Sequence, residues 1–493
     1  MVDASKAKEV RQDNIETLLE WLRTFKGFHN KLALKAADDA GRGLFAYSQA
    51  ITPGEPILVI PAASLLNPLT LAKSPLNSIP AHLFPAPATA SPRRSPNGTP
   101  SLTTTQLLTL HLALTRDPLK RHKSEWQVFI DTLPEFRPLH PLTWVVPDPD
   151  NKAPDAFWPA LEQCLSESVR VKIDAVRRRY EADKELLRHV LATEEPFKTQ
   201  NLGNLISDET LLWAWLNVNT RTVSTPLGLA EPSTSKWTVN NHSFVPLLDM
   251  INHTSLPGTE CPKPEPMPST SVTKRGARGA ARPGKQHLVP GKVDVVLFAP
   301  HRGLEDGEQV LFLYGAHSNA TLFAEYGFTE IDLGVSPLTW PNDDIDVGPW
   351  VEALWREDGN DAKKEALEDA GMWNHNRLAA NGGEPCPSVG LMTTLCVLAS
   401  PDDAVFTPHN MHARNFSRPT KMAARRMLRR ICESVLADAA DCREDLDEVA
   451  RSAGKDQEKV FAVSVVRGLL REEEVITSSI LEMVQGGSSI PGF

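Results

Sequence analysis

"FVPLLDMINHT", Phe244 to Thr254, decides how this chain is read. It begins as a buried strand would, then sets Asp249, Asn252 and His253 where apolar residues belong. In an extended strand, Asp249, Ile251 and His253 share one face, and Leu248, Met250 and Asn252 the other. Burying an unpaired polar group costs roughly 2–7 kcal/mol. These side chains are therefore satisfied internally, reach water, or meet a ligand. Two readings stand on the stretch alone: a polar turn closing a strand, with Asn252 capping the next segment, or part of a binding site. A metal reading that joins His253 to His242 or Cys261 lacks ligand spacing, so no metal is expected.

Around this stretch lie 493 residues, too many for one simple core, so two or three structural units are expected. The formal net charge of −10 argues against a general nucleic-acid binder, and no direct nucleic-acid contact is expected. The N-terminus has no signal-peptide pattern. No run approaches the ~18 apolar residues of a membrane span, so no membrane partner is expected. Six cysteines without a CxxC pair read as reduced thiols of an intracellular protein. A monomer in the cytoplasm or nucleus is the expectation.

Residues 14–26 carry helical periodicity, with Ile15, Leu18, Leu19 and Leu22 on one face. Strand-and-turn grammar follows, its clearest run being Ile57, Leu58, Val59 and Ile60. The Pro-rich stretch 75–100 reads as a surface loop. Helical segments come next, including "SDETLLWAWLNVNTR", with Ser207 as N-cap. Strand grammar returns at 244–251, 292–300 and 309–315. A basic insert within 262–291, holding Lys274, Arg275, Arg278, Arg282 and Lys285, reads as disordered. Beyond about 340 the pattern is amphipathic helix, which predicts a separate all-α domain.

Two further clusters could carry chemistry. "AGRGLFA" (Ala40–Ala46) lacks the third glycine of a dinucleotide fingerprint. Gly41 and Gly43 still allow close approach of backbone to a ligand, or simply form a turn. "EDGEQVLFLYGAHSNATLFAEYGF" (Glu305–Phe328) holds Tyr314 and Tyr326, two of the four tyrosines, each followed by glycine. A buried phenol usually finds a hydrogen-bond partner, so each one singly suits a core role, and the glycines suggest a crowded pocket.

Taken in order, "GRGLFA", "NTRTVS", "LLDMINH" and "GEQVLFLYG.HSNA.LFAEYGF" resemble a SET-domain methyltransferase. The branch is that of the Rubisco large-subunit lysine methyltransferase and its relatives, which mostly modify non-histone proteins. "EWQVFIDTLP" (Glu125–Pro134) is similar to a landmark of that branch's helical insert. The resemblance spans roughly residues 20–335. It implies an α+β fold: a β-rich SET domain split by a helical insert, then an all-α substrate-binding domain. The implied boundaries are 1–100 for the first SET part, 101–223 for the insert, 224–335 for the second SET part, and 336–493 for the helical domain.

The resemblance also implies roles. S-adenosyl-L-methionine would be held by Gly41, Arg42, Gly43, Asn252, His253 and Tyr326. Arg221 and Asp249 would serve the substrate, and Tyr314 would act at the methyl-transfer site. The partner would be a protein carrying the target lysine, such as a ribosomal protein or translation factor. Where the Rubisco enzyme's pattern reads "SRAFSR", this chain reads "TRTVST", with Val223 and Thr225 at the changed positions, so the resemblance does not carry over that enzyme's own substrate. A histidine-methylating branch shares "YG..SNA" but lacks the final tyrosine. Tyr326 favours lysine. A silent scaffold would need none of Tyr314, Tyr326, Asn252 and His253.

Overall fold

Short β-branched runs become strands in a computed structural model that describes all residues except 1–3, 38–40, 48, 90–99, 117–120, 147–154, 233–238, 257, 269–287, 332–341, 343, 382–383, 403, 405, 408–410, 413–414 and 487–493. The basic residues expected in the insert, and residues 90–99 of the Pro-rich loop, lie outside the described residues. The chain forms two compact units. The first comprises residues 1–136, 179–254 and 258–313, and the second 137–178, 255–257 and 314–493.

In the first unit, β1 (His29–Asn30), β4 (Pro56–Ile60), β9 (Val293–Phe298) and β8 (Pro264–Pro268) form an antiparallel sheet in that order. Ile57–Ile60 and Val293–Leu297 are buried, as near-continuous apolar runs should be. Beside this sheet, β2 (Leu32–Ala37) and β3 (Gly41–Ala46) make a hairpin-like pair with Lys35 opposite Gly43. β5 (Thr222–Ser224) pairs with β6 (His242–Phe244), and β7 (Asn252–His253) runs parallel to β10 (Leu311–Phe312). The helix Asp208–Arg221 packs on Thr104–Thr115, and Ser207 caps it by accepting from Thr210 N at 3.1 Å, as expected.

The deciding stretch is not one strand. The ladder stops at Phe244, a 3-10 turn occupies Leu248–Met250, and pairing resumes only at Asn252. Pro246 explains the break, since it has no N–H to give a ladder. Leu247 then takes φ +75°, the left-handed region that side chains avoid. The alternating faces expected for Leu248 to His253 are therefore lost. The strand expected over 309–315 is likewise only Leu311–Phe312.

The second unit is built on two long helices, Arg418–Ala453 and Gln457–Gln485, which bury Leu428, Ile431, Val435, Ile476 and Ile480 with Leu391 and Leu395. It is not all helical. β11 (Asp344–Asp346), β12 (Arg377–Asn381) and β13 (Glu384–Pro387) form an antiparallel sheet. "RLAAN" and "EPCP" lack the β-branched alternation that would announce strands.

Candidate functional site

The first unit brings Gly43, Asn252 and Arg42 together. Asn252 Nδ2 donates to the Arg42 carbonyl at 3.0 Å, joining β7 to β3. A Cβ on Gly43 would lie 2.9 Å from Asn252 Nδ2 and 2.3 Å from Gln309 Nε2, so a larger residue there would have to push those two side-chain amides aside. Thr254 N donates to the Phe312 carbonyl at 2.8 Å, which extends the parallel pairing of Asn252–His253 with the strand that leads into Tyr314. His253 is buried.

Arg221 ends the helix Asp208–Arg221 and turns its guanidinium onto Asp249. Nη1 donates to the Asp249 carbonyl at 2.8 Å and lies 3.4 Å from Oδ2. The Asp249 side chain is 2% exposed, and neither its Oδ1 nor Arg221 Nε has a hydrogen-bond partner among the described residues. Burial pushes the Asp249 carboxyl above the usual carboxylate range, while Arg221 and, more weakly, Arg42 pull it back. One acceptor of Asp249 and one donor of Arg221 are thus buried with unused capacity, an expensive arrangement.

In the second unit Tyr314, Tyr326 and Phe328 form a half-buried aromatic cluster. The Tyr314 and Tyr326 rings lie 5.3 Å apart, and Phe328 stands 6.3 Å and 6.0 Å from them. His317 adds a fourth ring 6.0 Å from Tyr326, and burial lowers its pKa, keeping the imidazole neutral. Tyr326 closes the helix Asn319–Tyr326, whose C-cap Gly327 has φ +81°. A Cβ on Gly327 would meet the His140 Cα at 3.0 Å. His140 Nε2 donates to the Glu325 carbonyl at 3.2 Å, and its Nδ1 accepts from Leu142 N at 3.2 Å. Burial drops the His140 pKa to about 4, as a neutral ring with one donor and one acceptor requires.

Arg42, Gly43 and Asn252 thus meet in one place, and Arg221 with Asp249 in a second. Tyr314 and Tyr326 meet in a third. Gly41 sits at the start of β3 with φ +73°. Gln309, Phe328, His317 and His140 were not singled out from the sequence. Gln309, His317 and Phe328 stand in the quoted stretch Glu305–Phe328, but nothing local marks His140. Among the described residues no group of three or more His, Cys, Asp and Glu converges as a metal site would require. No helix among them is long and apolar enough to cross a membrane. An open cavity of about 890 Å³ in the first unit has Arg42, Gln127, Asp131 and Arg116 in its wall. Asn252, His253 and Asp249 are not part of that wall, so the cavity is not the seat defined by those residues.

This architecture is the SET-domain fold of the Rubisco LSMT type. The SET domain of LSMT, solved with lysine and AdoHcy bound, superposes with a TM-score of 0.58 at 15% identity, over 96% of this chain and 91% of that one. Rubisco LSMT bound to AdoMet gives 0.55, also at 15% identity, over 96% and 92%. In sequence, human SET domain-containing protein 4 is 23% identical over 336 residues, 66% of this chain and 62% of its own length. The fission-yeast (Schizosaccharomyces pombe) ribosomal lysine N-methyltransferase set11 is 21% identical over 450 residues, 89% of this chain and 92% of its own. The chain therefore spans less than two thirds of the human relative's length. No protein-family model matches it.

Proposed function

We propose that this chain is an S-adenosylmethionine-dependent protein-lysine N-methyltransferase acting on a non-histone protein. The observation that carries the reading is the parallel pairing of Asn252–His253 with Leu311–Phe312, two residues before Tyr314. The glycine floor at Gly43 makes room for the Asn252 and Gln309 side-chain amides, so that Asn252 sits against β3. Gly41, Arg42, Gly43, Asn252 and His253 would hold the cofactor. When bound, the cofactor supplies a methyl group on a sulfonium that leaves as a neutral thioether.

The chain's own work is alignment and proton control. The amine must attack as the neutral base, so its proton has to leave before the N–CH₃ bond forms. A poorly hydrated aromatic surround such as Tyr314, Tyr326 and Phe328 lowers a lysine pKa by disfavouring the ammonium. The Tyr314 hydroxyl orients the amine, and holding reactants at about 3–3.5 Å supplies most of the acceleration. Asp249 and Arg221, paired through the Asp249 carbonyl, would serve the substrate. No nucleophilic side chain is needed.

The similarity to set11 supports a ribosomal protein as substrate. We propose further that the chain acts as a monomer in the cytoplasm or nucleus. The test is to incubate the chain with labelled cofactor and cell extract and locate the label by mass spectrometry. Label on lysine of a non-histone protein is expected; label on histidine, or none, overturns the reading. Calorimetric titration of S-adenosylmethionine should show binding that His253→Ala weakens.

A further inference from the structure

Three buried side chains of the second unit form a chain of hydrogen bonds that the roles above do not use. Asn319, the first residue of the helix ending in Tyr326, is 3% exposed, Glu330 8% and Glu472 4%. Asn319 Oδ1 accepts from Glu330 N at 2.8 Å, and its Nδ2 donates to Glu472 Oε2 at 2.9 Å on the last helix. Glu330 in turn accepts from Ser255 N with both carboxylate oxygens, at 3.1 and 3.0 Å, two residues beyond His253.

The first of these bonds ties Glu330, two residues past Phe328, back to the start of the helix that presents Tyr326. Phe328 is thereby held from both sides: by the Gly327 cap, whose N–H donates to the Phe323 carbonyl at 3.0 Å, and by the Asn319–Glu330 bond. The amide has no freedom to flip, because one end must accept from an N–H and the other must donate to a carboxylate. We infer that Asn319 is a positioning residue which, anchored by Glu472 of the C-terminal helix, sets Phe328 and Tyr326 against Tyr314 for methyl transfer. This rests on the lysine-methyltransfer reading. It also gives the last helix a part in catalysis that its distance in sequence conceals.

The hydrogen-bond polarity supplies the test. Asn319→Asp replaces the donor by a second carboxylate facing Glu472, while Glu472→Gln alone keeps an acceptor for Asn319. The double variant Asn319→Asp/Glu472→Gln restores a donor opposite an acceptor. Hydrogen exchange by mass spectrometry, on the chain without substrate, should show residues 327–330 losing protection in Asn319→Asp and regaining it in the double variant. Turnover should fall roughly tenfold or more in Asn319→Asp, a larger change than in the cofactor dissociation constant, stay near wild type in Glu472→Gln, and recover in the double variant. Unchanged exchange in Asn319→Asp, or turnover that does not follow the exchange, overturns the inference. A wild type that takes up no S-adenosylmethionine overturns the functional reading instead, and the exchange result still decides whether Asn319 holds the segment.

Discussion

Asp249 shows how much one buried carboxyl can reveal. Its folded pKa is raised, so its ionised form weakens the fold: the contribution present below the unfolded value is lost as pH rises through the folded one. Asp249→Asn removes that cost, and Arg221 keeps its bond to the Asp249 carbonyl. The variant should therefore be at least as stable as wild type at pH 8 in urea unfolding, with a flatter pH profile, yet show a higher KM for its protein substrate. A variant less stable at pH 8 would mean that the Arg221 pair, not burial, dominates. Tyr314→Phe keeps the ring that packs on Tyr326 and deletes only the hydroxyl, so kcat should drop about a hundredfold while cofactor affinity holds. Equal losses in both would assign Tyr314 to binding. Asn252, His253 and Asp249 could be read from the sequence because polar groups inside an apolar run demand a reason. Gln309 and His140 could not, because their significance lies in what a distant glycine backbone leaves no room for.

Among the elements, the long apolar strands and capped helices were legible, and the short irregular pieces were not. The run Val293–Phe298 announces itself, whereas the two-residue strands β7 and β10 owe their existence to each other. Pro246 was visible in the sequence, and its missing N–H was the available sign that Phe244–Ile251 would break. The last helix carries a second buried acid, Glu473, which accepts hydrogen bonds from Ser166 and Ser168. Burial raises its pKa from 4.5 to about 7; the serine donors and the Lys172 charge oppose this, and the Asp438 charge adds to it. With the folded value above the unfolded one, its contribution is full below about pH 4.5 and is lost as pH rises through about 7. Glu473→Gln should remove this slope and stabilise the second unit at pH 8 by up to about 3 kcal/mol. Urea unfolding of both proteins at pH 5 and pH 8 checks it, and parallel pH profiles would sink it.

For the whole molecule, length correctly implied more than one core, but local patterns could not show which segments share one. Residues 137–178 join the second unit with the C-terminal helices, through pairs such as Lys459 with Asp155 and Glu167 N with Asp438. Such contacts span some 270 to 300 residues of sequence and follow from packing alone. Two compact units should unfold in two calorimetric transitions rather than one, so a single melting temperature does not describe the chain. Gly43, Asn252 and His253, three of the residues proposed to hold the cofactor, lie in the first unit. A ligand that binds only the folded form adds about 2.7 kcal/mol at one hundred times its dissociation constant. S-adenosylmethionine at that excess should therefore raise the transition of the first unit, identified by hydrogen exchange in β4 and β9, and His253→Ala should abolish the shift. If neither transition moves at saturating cofactor, the glycine floor and the Asn252–His253 strand are structural features only, and the methyltransferase reading falls with them.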